Sequence, residues 1–321
     1  GYKNITYAEW IARWPRWNDK ICAMSNEVLK SIPKKFQNKC KLVGDLMADL
    51  SPYYESGDSL PQGKWVALLP GSKKAKLCIG VPFMLEMADL IKKKIPDCKF
   101  LLPIAPTTSI KEIQELNGSE NPISKNYKSK IKKLFTPLEK NKKRKLITEM
   151  GTEIYIEENS PAHLSLVQCE LAITTIGANT SELGALGVPM IVIVPTQHLN
   201  VMKAWDGIIG LIARLPLLKF FLGFLIGKWR LRKRNLLAWP NISAGKMIVP
   251  ERIGKIIPSE IATEAIEWLQ SPERLNGQKE DFYNYSSIVR NSDAKAPTKK
   301  LKIYFGNGHY ESTDDGDITT V

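Results

Sequence analysis

Between Trp65 and Glu251 one alternation recurs: a short apolar run, a turn, then a longer stretch with helical spacing. Nothing else in the chain restricts its fold so sharply. Strands separated by helices pair in parallel, and a strand covered on both faces reads as an unbroken apolar run. Trp65-Val66-Ala67-Leu68-Leu69-Pro70 is the first such run and ends in Gly71-Ser72. Residues 77–95 follow with helical spacing (Val81, Met84, Leu85, Ala88, Leu90, Ile91) and a lysine-rich end suited to a helix carboxyl terminus. Residues 99–105, 153–157, 171–175 and 189–194 read as four further strands, with helices near 161–168 and 181–186. The expected class is α/β: a Rossmann-like domain whose parallel sheet is covered on both faces.

The remaining segments differ in character. A lysine-rich insert, 107–150, separates the second and third strands, and its charge-dense part, 125–145, reads as a solvated helix. Residues 1–52 carry an aromatic-basic cluster (Trp10, Arg13, Trp14, Arg16, Trp17) and, at Lys41 to Leu46, a strand entering a turn. Residues 53–64 form a polar linker containing Gly and Pro, so the main domain is expected to span 65–290. The tail, 291–321, is polar, turns acidic at Asp314, Asp315 and Asp317, and reads as loose. The chain opens on Gly1 without a methionine, which reads as a processed or cropped terminus, and no signal-peptide pattern follows.

The net charge of +13 calls for an anionic partner: nucleic acid, anionic lipid or a phosphorylated substrate. No zinc-finger, RRM or KH signature supports nucleic acid, which is not expected as a partner. Five scattered cysteines, none in a Cys-x-x-Cys pair, argue against a disulfide framework and a zinc site and favour a reducing, cytoplasmic setting.

Ligands of open α/β sheets bind beyond the carboxyl ends of the strands. Two such loops stand out. In Leu69-Pro70-Gly71-Ser72-Lys73, glycine lets backbone approach a phosphate, and Ser72 and Lys73 supply donors near a helix amino terminus. In Thr174-Thr175-Ile176-Gly177-Ala178-Asn179-Thr180-Ser181-Glu182, a hydroxyl-rich loop opens a helix, with Glu182 able to accept from ribose hydroxyls. The same residues also suit a plain capped helix, with Thr180 as the cap and Glu182 as the dipole partner.

These loops, with Gly187-Val188-Pro189-Met190, Pro240-Asn241-Ile242-x-Ala244-Gly245 and Val249-Pro250-Glu251, follow the order and approximate spacing of lipid-A-disaccharide synthases, which the chain resembles over roughly 43–270. The resemblance implies a GT-B glycosyltransferase, here a Rossmann-like domain with a remnant of the preceding one, which holds a UDP-sugar as substrate without a cofactor or metal. It implies that Gly71, Ser72 and Lys73 face the diphosphate, with Gly177 and Thr180 beside it. Glu182 would hold the ribose, and Asn241 with its loop would close over the nucleotide. The implied reaction transfers an acylated glucosamine unit to a glycolipid acceptor. Its catalytic residue is expected in an amino-terminal region outside this chain, so that the fragment alone would bind donor without turnover. Two lysines depart from the family pattern: Lys73 stands at its usual arginine and Lys76 at its usual acidic residue. A different acceptor, or a non-catalytic nucleotide-sugar-binding protein at the membrane surface, are the alternatives.

Residues 207–234 combine an apolar stretch, including Phe220, Phe221 and Phe224, with a cluster of Arg230, Arg232, Lys233 and Arg234. Arg214, Pro216 and Lys219 interrupt the ~20 apolar residues that a spanning helix needs. The pattern suits insertion into the face of an anionic bilayer and a peripheral position on the inner face of the membrane, although a buried helical hairpin would carry a similar pattern. His163 and His198, near helix starts, read as structural rather than catalytic.

Overall fold

A computed structural model describes residues 4–8, 15–24, 26–44, 60–139, 142–198, 236–293, 310–312 and 318–320. The expected membrane-surface segment, 207–234, lies outside the described residues, as does most of the expected linker. Two compact units are present: residues 1–49 with 286–321, and residues 50–285.

In the first unit, β1 (Ile5–Ala8), β2 (Lys20–Ala23) and β3 (Cys40–Leu42) form a three-stranded parallel sheet in that order. Helix α1 (Asn26–Ser31) joins β2 to β3. Ala8, Ile21, Ala23, Val28 and Ile32 form a small core of their own. The tail contributes a short antiparallel pair, β12 (Tyr310–Ser312) with β13 (Ile318–Thr320).

The second unit is built on an eight-stranded sheet. Its strands are β4 (Trp65–Leu69), β5 (Lys99–Pro103), β6 (Ile131–Phe135), β7 (Lys145–Thr148), β8 (Glu153–Glu157), β9 (Leu171–Thr175), β10 (Met190–Pro195) and β11 (Glu251–Gly254). Its helices are α2 (Lys74–Lys94), α3 (Ile110–Asn117), α4 (His163–Leu166), α5 (Asn179–Ala185), α6 (Trp239–Ala244), α7 (Pro258–Leu269) and α8 (Pro272–Asp293), the last extending into residues of the first unit. Spatial order is β11-β10-β9-β4-β5-β8-β7-β6, with the first six strands parallel. Numbered by chain order alone, β8-β5-β4-β9-β10-β11 reads 3-2-1-4-5-6, the doubly wound Rossmann order, whose topological switch falls between β4 and β9. The expected α/β class is therefore the observed one.

Burial explains why these runs are strands. Every residue of β4, β9 and β10 is buried, so apolar side chains are needed on both faces. Leu68, Phe83, Met84, Ile91, Phe100, Ile154 and Ile173 belong to one core that joins α2, α3 and α7 to the sheet. Removal of each such side chain from water contributes about 1.5–3 kcal/mol.

The lysine-rich insert is not the solvated helix expected at 125–145. It forms the hairpin β6–β7, which extends the sheet antiparallel to β8. Helix α2 anchors it: Asp89 accepts from Ser129 Oγ at 2.5 Å and from Thr148 Oγ1 at 2.7 Å. Its cations pair with the neighbouring chain, Lys143 with Glu157, Arg144 with Glu158 and Lys145 with Glu153. Those pairings make a strand favourable despite the charge density.

Candidate functional site

The site follows from the switch point. β4 and β9 are neighbours in register, Leu69 opposite Thr174, and the loops that leave them run to opposite sides of the sheet. In a doubly wound sheet the ligand crevice is expected beyond the carboxyl ends of the strands at such a point. The 70–73 loop and the 176–178 loop form its rim.

Gly71 has φ +102°, a conformation costly for any residue with a Cβ. A Cβ there would also lie 2.8 Å from Lys76 Cδ and 3.3 Å from Thr175 Oγ1. Across the crevice, a Cβ on Gly177 would lie 2.8 Å from Asn179 Oδ1 and 3.3 Å from Lys76 Nζ. Lys76, half-buried in the first turn of α2, links the loops by donating from Nζ to the Ile176 carbonyl at 2.5 Å. Ser72 and Lys73 are exposed, and Lys73 is the first, non-helical residue of the α2 cap. Asn179 Nδ2 donates to Thr174 Oγ1 at 2.7 Å and fixes the second loop on its strand end.

Glu182 lies on α5, with Oε1 2.9 Å from His163 Nε2; the two side chains are 14% and 20% exposed. The contact ties α5 to α4. His163 thus orients a candidate ligand residue instead of standing alone.

Two of the expected donor contacts point elsewhere. Thr180 is fully buried; its hydroxyl donates to the Gly177 carbonyl at 2.9 Å and accepts from Trp239 N at 3.1 Å. It is not the helix cap either, since Ala178 holds that position without a side-chain bond. Asn241 is also fully buried. Its Nδ2 donates to the Val249 carbonyl and Glu251 Oε1, and its Oδ1 accepts from Ile248 N and Val249 N, all within 2.8 Å. An amide so engaged has no bond left for a ligand. Thr180 and Asn241 therefore brace the 237–251 segment against α5, and their expected contact with a nucleotide is corrected to that bracing role.

Thr175 is not among the site residues expected from sequence, and Lys76 stands out there only as a departure from the family pattern. A hydroxyl on the last residue of a strand, and a lysine three residues past a strand-end turn, were the available signals. A separate open cavity of about 640 Å³ lies along β11, α7 and α8, lined by Arg252, Glu264, Glu267 and Arg274. Its charges close on one another, Arg252 with Glu264 and Arg274 with Glu267, so the crevice remains the better chemical site.

Fold and site define a doubly wound α/β protein with a ligand crevice at its switch point. No family model matches the chain. Curated relatives do. A lipid-A-disaccharide synthase of Sulfurihydrogenibium sp. is 25% identical over 284 residues, covering 86% of this chain and 60% of that protein. One from Nitrosococcus oceani is 26% identical over 224 residues, covering 70% and 44%. Among solved structures, UDP-GlcNAc 2-epimerase from Neisseria meningitidis bound to UDP-GlcNAc matches at TM-score 0.40 and 13% identity, covering 88% and 62%. Over most of its length the chain is therefore similar to lipid-A-disaccharide synthases, at low identity. It spans about half the length of the curated relatives it matches.

Proposed function

We propose that this chain forms the nucleotide-sugar half of a membrane-surface hexosyltransferase of lipid-A-disaccharide synthase type. It would hold a UDP-sugar from which an acylated glucosamine unit passes to a lipid-linked sugar. One observation carries the reading: the two loops on which the resemblance rests meet at the switch-point crevice. Gly71 and Gly177 would admit the diphosphate to close range, Ser72 and Lys73 would donate to it, and Glu182 would accept from the ribose. A diphosphate leaving group needs positive potential fixed where its charge develops, and lysines at a helix start supply it.

The acceptor would be a glycolipid reached from an anionic membrane, on its inner face. Supporting this are the basic and apolar residues of 207–234. Among the described residues no helix is long and apolar enough to cross a membrane.

Calorimetric titration with UDP and UDP-N-acetylglucosamine, beside Glu182→Ala, tests the donor reading. Micromolar-range binding that Glu182→Ala weakens is expected. A folded chain that takes up neither ligand would overturn the reading.

A further inference from the structure

Helix α2 begins against the usual electrostatics. Lys73, Lys74 and Lys76 crowd its first turn, and no acidic residue stands there. The amino end of a helix already carries partial positive charge, so cations are unfavourable at that end and anions favourable. A local rule broken in this way commonly marks a functional position.

A second, independent feature lies under the same side chain. Thr175 Oγ1 is buried, lies 3.3 Å from the Gly71 Cβ position, and has no hydrogen-bond partner among the described residues. Buried hydroxyls are almost always satisfied, so an orphan here calls for a partner from outside the fold. Lys76 crosses directly above, with its stem against Gly71 and its ammonium against the 176–177 turn.

We propose that Lys76 and Thr175 form an anion subsite that binds the phosphoryl oxygens of a nucleoside diphosphate, Lys76 giving the charge and Thr175 a short-range hydroxyl donor. The inference rests on the nucleotide-sugar reading above and deepens it by naming the groups that distinguish a diphosphate from a monophosphate. Lys76 Nζ donates to the Ile176 carbonyl at 2.5 Å, so engagement of Thr175 requires the lysine stem to rotate away from it. Lys76 thereby couples the two loops: an anion drawn to it is felt by both.

The test is calorimetry on the full chain with UDP, UMP, uridine and inorganic pyrophosphate, comparing Lys76→Met, Lys76→Arg and Thr175→Val. Lys76→Met is expected to weaken UDP about ten-fold, UMP less, and uridine not at all. Lys76→Arg should recover most of the loss. Thr175→Val, close in shape, should weaken UDP several-fold without lowering the melting temperature. A folded Lys76→Met variant with wild-type affinity for UDP overturns the subsite and leaves the donor reading standing. Lys76-dependent pyrophosphate binding without any preference for uridine nucleotides supports the subsite and overturns the donor reading. A folded wild-type chain that binds none of the four overturns both.

Discussion

A primary amide has two donors and two acceptor positions, and Asn241 uses all four on Val249, Glu251 and Ile248. Replacement by leucine would keep the volume but leave the Ile248 and Val249 N–H groups without that partner in the core. We expect Asn241→Leu to lose about 3 kcal/mol of unfolding free energy in urea titrations. A loss below about 0.5 kcal/mol would mean that the bracing is not formed in solution. Gly71 fails differently. Its φ of +102° and the 2.8 Å approach to Lys76 Cδ leave Gly71→Ala both strained and displaced. About 2 kcal/mol of destabilisation is expected, with weaker UDP binding in a chain that still folds. Unchanged affinity would show that the loop is not held in this shape.

Among elements, β8 shows how one buried carboxylate joins three segments. Glu157 accepts from Lys143 Nζ at 2.6 Å, from Ser165 Oγ, and from Asn159 N at 2.9 Å. Burial pushes its pKa up, but the hydrogen bonds from Lys143, Ser165 and Asn159 outweigh burial and hold it below the usual carboxylate value. The folded pKa is thus depressed. Its stabilisation is present above the unfolded value of about 4.3 and is lost as pH falls through the folded one. Glu157→Gln should flatten part of the stability loss between about pH 5 and 3, measured by urea unfolding. At neutral pH, Lys143→Met should cost about 3 kcal/mol, because it strands a buried charge. A negligible cost would show the pair to be open.

The same strand explains what was readable. Runs 153–157 and 171–175 coincide with β8 and β9, and the runs at β4, β5 and β10 nearly so, because the core-facing positions of these strands, such as Ile154, Ile156, Leu171 and Ile173, are apolar. At the sheet edge the constraint lifts: β6 carries the exposed Lys132 and Lys133, a common protection of edge strands, and the charge density hides the pleat. The site divided in the same way. Gly71 and Gly177 were legible as turns at strand ends. The direction of Thr180 was not, since its partner Trp239 lies 59 residues away. Thr175 gains meaning only when β4 and β9 become neighbours, and Lys76, visible in sequence as a departure from the family pattern, gains its contact with the second loop there.

For the whole molecule the dominant quantity is its net charge of +13. Three of the insert's eleven basic residues pair with Glu153, Glu157 and Glu158, so the insert also adds to the positive charge that an anionic surface would meet. In sequence the cluster Arg230, Arg232, Lys233 and Arg234 follows Phe220, Phe221 and Phe224, the combination on which the proposed membrane contact rests. The two contributions separate by salt. Electrostatic attraction falls as the screening length shrinks from about 8 Å at 0.15 M to about 3 Å at 1 M, whereas apolar insertion does not. In co-sedimentation, the chain should pellet with vesicles containing phosphatidylglycerol, and not with pure phosphatidylcholine, and 1 M salt should release most of it. Reversal of the four basic residues to glutamate should abolish pelleting at low salt. Phe220, Phe221 and Phe224→Ser should leave initial capture intact but shorten the time on the vesicle. If the charge-reversed chain still pellets, attraction resides elsewhere on the surface, and this segment loses its role as the membrane contact.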